Sequence, residues 1–138
     1  MSIIVQYKNN DKVNINSIND IINPEQVISL YYQRNFRKLK NLKEISHLVN
    51  LRQLYCCSNK LESLEGLENC IYLEELYCFD NELKSLSGLE NCYNLKMLYC
   101  RNNYLKSLQN ISNLVNIREL ICSSNNLETL EGIENLSN

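Results

Sequence analysis

Several things an enzyme needs are missing from this sequence. His47 is the only histidine among 138 residues. No HExxH helix, phosphate-binding glycine loop or dinucleotide fingerprint occurs. No apolar run is long enough to span a bilayer, and the opening MSIIVQYKNN does not read as a signal peptide. The net charge is only -2, which favours neither a nucleic-acid backbone nor an anionic membrane as partner. The expectation is one domain that is not an enzyme and needs no cofactor and no metal.

What is present is a repeat. Leu51–Tyr72 reads LRQLYCCSNKLESLEGLENCIY, and it returns with substitutions as Leu73–Asn94, Leu95–Asn116 and Ile117–Asn138. The spacing is 22 residues each time, without insertion. Numbering each repeat from 1, apolar residues recur at positions 1, 4, 6, 11, 14, 17 and 20, and asparagine recurs at position 9. The step from 4 to 6 has the period of a strand with both side chains on one face. The steps from 11 to 20 are all three residues, which suits 3₁₀-like turns. Each repeat therefore predicts one coil, with a strand on one side and turns on the other. One coil cannot bury its own apolar edge, whereas stacked coils can.

The pattern LxxLxCxxNxLxxLxxLxx(C/L) resembles the leucine-rich repeat, in the 22-residue class that includes phosphatase-regulatory and internalin-type members. Four full repeats carry the match. The resemblance implies an α/β solenoid: a right-handed superhelix with a parallel sheet on its concave face and 3₁₀ or irregular segments on its convex face. It also implies protein binding as the activity. The LYC core and the Asn, Ile, Lys and Tyr bias resemble repeat proteins of large DNA viruses as well.

Before the regular repeats, Ser2–Tyr7 reads as a strand and Val13–Ile15 as its hairpin return. Ile15, Ile18 and Ile21 then show the three-residue step. Residues 24–34 admit two readings. Asn23-Pro24-Glu25 is a good helix start. Val27, Leu30, Tyr32 and Asn35 instead match positions 1, 4, 6 and 9, with Leu39, Leu42, Ile45 and Leu48 at 11 to 20 after a two-residue insertion near Phe36–Lys38. The β-branched and aromatic VISLYY favours the strand. The division expected is residues 1–26 as N-terminal cap, 27–50 as a divergent first repeat and 51–138 as four regular repeats.

Seven cysteines usually suggest disulfides. Four of these occupy position 6 and two occupy position 20, where leucine would serve equally, so they read as small core residues. Parallel neighbours on adjacent strands project side by side, which suits neither a disulfide nor tetrahedral zinc. The odd count and core placement point to a reducing, intracellular and cytoplasmic setting. Cys57 alone is expected to face outward. A peptidase-like or redox role for it lacks a base, because His47 belongs to the opposite layer, about 10 Å away. Glu62, Glu65, Glu68, Glu128, Glu131 and Glu134 read as a solvated convex face.

Position 5 lies between two inward positions and so points out of the sheet. It holds Tyr31, Tyr55, Tyr77, Tyr99 and Ile121, on strands about 4.8 Å apart. With Met97 at position 3 and Phe79 and Arg101 at position 7, these form the expected partner-binding face, since exposed aromatic, Met and Arg side chains are typical interface anchors. A second surface is expected at the last repeat, where Ile117, Leu120, Leu127, Leu130, Ile133 and Leu136 would offer an apolar flank for self-association as a homo-oligomer. The asparagines of position 9 are expected to satisfy backbone groups between coils. Gly66, Gly88 and Gly132 at position 16, with Asn110 in their place in the third repeat, suggest a backbone angle that disfavours a Cβ.

Overall fold

The computed structural model describes residues 2–33 and 39–136. Seven strands make a single sheet: β1 (Ile3–Tyr7), β2 (Lys12–Ile15), β3 (Val27–Tyr32), β4 (Gln53–Tyr55), β5 (Glu75–Tyr77), β6 (Met97–Tyr99) and β7 (Glu119–Ile121). Their order is β2-β1-β3-β4-β5-β6-β7. From β3 onward every pair is parallel and in register, so Leu30, Leu54, Leu76, Leu98 and Leu120 form one row. The return path of each coil is loop, with 3₁₀ turns at Lys43–Ile45 and Gln109–Ile111. No α-helix occurs among the described residues. The molecule is the parallel-sheet solenoid that the 22-residue period predicts, with three-residue steps rather than helices opposite the sheet.

The hairpin forms as the first strand signals predict, and it extends the sheet. β1 pairs antiparallel with both β2 and β3, placing Ile3 and Val5 in the core. Residues 24–33 resolve in favour of the strand. Asn23-Pro24 starts only one 3₁₀ turn, Pro24–Gln26, before β3 begins. Asn35 and the insertion near Phe36–Lys38 lie outside the described residues.

Positions 1, 4, 6, 11, 14, 17 and 20 fill the interior. In the coil that begins at Leu51, the seven residues Leu51, Leu54, Cys56, Leu61, Leu64, Leu67 and Cys70 have no exposed surface. Each such leucine contributes about 1.5–3 kcal/mol by leaving water. No disulfide forms, and the cysteines of positions 6 and 20 pack as leucine does elsewhere.

The asparagine ladder stitches coil to coil. Asn81 Nδ2 donates to the carbonyls of Cys56 in the coil before and Cys78 in its own, both at 3.0 Å, while its Oδ1 accepts from Leu61 N at 3.0 Å. Asn103 and Asn125 repeat the arrangement one and two coils on. The side chain thus satisfies backbone groups at the bend where the strand ends, most of them buried. The asparagines of position 19 are exposed instead, and Asn91 and Asn135 each reach a carbonyl of the preceding coil.

Two backbone features depart from the sequence reading. Gly66, Gly88 and Gly132 do take positive φ, and a Cβ on Gly66 would stand 2.1 Å from the Leu42 carbonyl oxygen. Asn110 does not follow them. It carries a Cβ, and its coil instead closes with the 3₁₀ turn Gln109–Ile111. The first coil, with Glu44 at the same place, does likewise. A left-handed row also occurs at position 8: Ser58, Asp80, Asn102 and Ser124 have φ between 53° and 56°. Short polar residues tolerate that region better than branched ones, and the bend there helps to end each strand after three residues.

Candidate functional site

Alternation along each strand sends positions 4 and 6 inward and positions 3, 5 and 7 to the sheet's outer, concave face. The position 5 side chains are all partly exposed and contiguous. Tyr31 lies flat on Tyr55, with ring centroids 4.3 Å apart, and Tyr55 lies flat on Tyr77 at the same distance. Tyr77 then meets Tyr99 edge-on at 4.9 Å. Ile121 continues the row on β7.

The hydroxyls do not float free. Glu75 Oε2 accepts from Tyr77 at 3.2 Å and, more weakly, from Tyr55 at 3.5 Å. Its Oε1 accepts from Gln53 Nε2 at 3.1 Å, and Gln53 Oε1 accepts from Ser29 Oγ at 2.8 Å. Tyr99 donates to Glu119. Burial, and then the neighbouring Tyr55 and Glu75, push the Tyr77 phenol well up from its ordinary value, and the bond to Glu119 raises that of Tyr99. Both rings therefore remain protonated donors at neutral pH. Position 3 thus orients position 5, a role the sequence reading gave to no residue. The signal was available as glutamate beside tyrosine at 75/77, but only coordinates reveal which hydroxyl each carboxylate takes.

Met97 sits with its sulfur 3.9 Å from the Tyr77 hydroxyl. On the other flank the Arg101 guanidinium lies over the Phe79 ring at 5.1 Å. At the hairpin end Lys12 Nζ is 6.0 Å from the Tyr31 ring centre, a contact that the sequence did not suggest. Tyr31, Tyr55, Tyr77, Phe79, Met97, Tyr99, Arg101 and Ile121 are therefore placed on one face. A cleft of about 320 Å³ borders it, lined by residues that include Ser29, Arg52, Gln53, Glu74 and Glu75. Glu74 there bridges Arg52 at 3.0 Å and Lys96 at 2.6 Å, and the Lys96 bond leads in holding its carboxyl below the usual range.

The other candidates separate. Cys57 is half-buried, its Sγ 3.1 Å from the Tyr77 carbonyl oxygen, and burial pushes its thiol up to about 11. That is the opposite of activation. His47 is exposed on the return side. No group of three or more His, Cys, Asp or Glu side chains among the described residues is placed to hold a metal ion. No helix among the described residues is long and apolar enough to cross a membrane. At the last coil, Ile117 is buried, Leu120, Leu127, Ile133 and Leu136 are partly covered, and Leu130 is 65% exposed. The carboxylates of the return side are exposed, and Glu62, Glu65 and Glu128 pair with Lys40, Lys43 and Lys106.

Comparison with known proteins places this geometry. A family model for leucine-rich repeats, in two copies, matches residues 71–113. No curated protein sequence matches significantly. Among solved structures, an internalin (inlF) of Listeria monocytogenes superposes with a TM-score of 0.71 at 22% identity, covering 79% of this chain and 31% of the other. Internalin C2 of the same organism gives 0.71 at 23% identity, covering 75% and 46%. A leucine-rich-repeat protein of Leptospira interrogans gives 0.63 at 26% identity, covering 68% and 25%. The chain spans a quarter to a half of the length of these proteins. All three are bacterial, and the viral likeness of the LYC core finds no support among them. With its asparagine-stitched 22-residue coils, the chain has the fold of the leucine-rich repeat proteins, and the repeat model matches two of those coils at its centre.

Proposed function

We propose that the chain is a non-catalytic protein-interaction module that takes a protein partner on its concave face. The observation that supports this is the tyrosine column. Four phenol rings stand half-exposed and already ordered by stacking, and Tyr55, Tyr77 and Tyr99 also bond to carboxylates. A partner covering them gains large amphipathic area while losing little side-chain freedom. Arg101 on Phe79 and Met97 beside Tyr77 add anchors of the type that dominates interfaces. In this reading residues 1–26 cap the sheet, 27–50 form a first repeat, and the seven free thiols belong to a reducing, intracellular setting.

The test is affinity purification from native cells with the wild-type chain and with Tyr77→Ala/Tyr99→Ala, each shown to be folded by circular dichroism. Loss of partners held by the wild type is expected. A folded double variant that retains every one of them overturns the reading.

Self-association is the second reading, favoured by the apolar groove between Ile117, Leu120, Ile133 and Leu136. Sedimentation of the wild type separates the two: a strict monomer at high concentration removes it.

A further inference from the structure

A second surface repeats with the coils and lies outside the concave face. Position 21 holds Val49, Ile71, Tyr93 and Val115, and Tyr72 follows Ile71. All five are exposed, between 41% and 52%. They stand at the corner where the chain leaves the return layer for the strands, between buried positions 20 and 1. The corner is fastened from coil to coil. Asn50 Nδ2 donates to the Glu25 carbonyl at 2.9 Å, Asn94 to that of Ile71 at 2.7 Å, and Asn116 to that of Tyr93 at 2.7 Å. Each bond ties position 22 to position 21 of the coil before, and two of the three fasten residues of the row itself, Ile71 and Tyr93. Isolated exposed apolar residues need no explanation; a fixed row is different.

The geometry points to this row as a docking site for an amphipathic helix of a partner protein. Spacing and charge support that occupant. Adjacent coils lie about 4.8 Å apart, and the apolar seam of a heptad-patterned helix advances about 5.3 Å per step, so successive seam residues fall near successive coils. An extended strand advances about 6.7 Å between same-face residues and loses step at once. The flanks differ in sign. Exposed Glu68 and Glu90 stand on one side, and Arg52, Lys96 and Arg118 on the other, with Glu74 between Arg52 and Lys96. A helix with basic residues along one margin of its seam and acidic residues along the other matches both.

The probe is a synthetic peptide of about three heptads, leucine at a and d, lysine along one margin and glutamate along the other, beside a scrambled peptide of the same composition. Titration into the isotope-labelled full chain should move the amides of Val49, Ile71, Tyr93 and Val115 saturably. Ile71→Ser/Tyr93→Ser should weaken binding at least about tenfold. Tyr55→Ala/Tyr77→Ala, on the concave face, should leave it unchanged. If the first pair fails to fold, Val49→Ser/Val115→Ser gives the same readout. No saturable shift, equal response to the scrambled peptide, or shifts confined to the concave strands overturns the proposal. So does capture by phosphatidylcholine–phosphatidylserine vesicles, dependent on Ile71 and Tyr93, in place of the peptide.

Discussion

Tyr99 meets Tyr77 edge-on, its plane turned 71° from that of its neighbour, whereas Tyr55 lies within 7° of parallel with Tyr77. The turn coincides with a change of partner: Tyr55 and Tyr77 share Glu75, and Tyr99 donates to Glu119. Tyr77 therefore has two aromatic neighbours on this column and Tyr99 has one. Each aromatic pair contributes about 0.5–1.5 kcal/mol beyond area burial. Tyr77→Ala should lower unfolding free energy by about 1–3 kcal/mol and Tyr99→Ala by roughly half as much, as read from urea midpoints. Equal losses would mean that the rings do not support one another.

Asn81 holds two coils at once and is buried. Asn81→Ala leaves the Leu61 N–H without a partner and the Cys56 carbonyl with Asn59 alone, and should cost about 1–3 kcal/mol. Asn69→Ala, at an exposed position of the coil before, should stay within about 0.5 kcal/mol. Thermal denaturation of the two variants checks the difference.

Gly66→Ala drives a Cβ into the Leu42 carbonyl at a φ of 115°. Backbone must shift, and a loss of more than about 2 kcal/mol is expected. Gly88→Ala meets the corresponding Leu64 oxygen at 2.8 Å and should cost less. Asn110→Ala, on a 3₁₀ turn, should be tolerated. Urea titration should rank the three in that order.

Thiol chemistry should track burial. Cys57 and Cys122 are partly exposed and should accept a maleimide in the native state, with the other five reacting only on unfolding. Burial also gives stability a pH dependence. The ordinary thiol value is 9.0, and folding raises it to about 11 at Cys57 and Cys70 and about 12 at Cys92 and Cys100. Below 9.0 both states keep the proton and the stability is complete. As pH climbs from 9.0 through 11 and 12, the unfolded chain sheds protons that the fold retains, so stability falls. Urea midpoints should be flat from about pH 7 to 9 and decline above. A midpoint that rises above pH 9 contradicts buried, protonated thiols.

Most of the fold was legible because each coil repeats the same demand. Leucine, cysteine and asparagine recur at fixed positions, and a solenoid is the way to bury them all. Residues 24–34 were ambiguous because Asn-Pro-Glu is a local start signal, while the strand is selected by pairing with β1 and β4. Asn110 was misjudged because a loop can close by a positive φ or by a 3₁₀ turn, and its Cβ decides for the second. Position 8 hid its left-handed turn under varied residues. The tyrosine column could be read from period two alone, but not its mixture of flat and edge-on contacts, which goes with carboxylates on the same strand or the next. The corner row went unread because Val, Ile and Tyr there look like core until the coil is closed.

The antiparallel hairpin sets what an added coil would pair with. A copied unit spliced in after residue 72 or 94 would meet parallel neighbours on both sides, in the hydrogen-bond spacing it already uses. The same unit placed ahead of Val27 would face β1, whose bonds come in alternating wide and narrow pairs. β1 already takes a coil strand in that way through β3, so what the hairpin changes is the kind of ladder an added coil forms on one side.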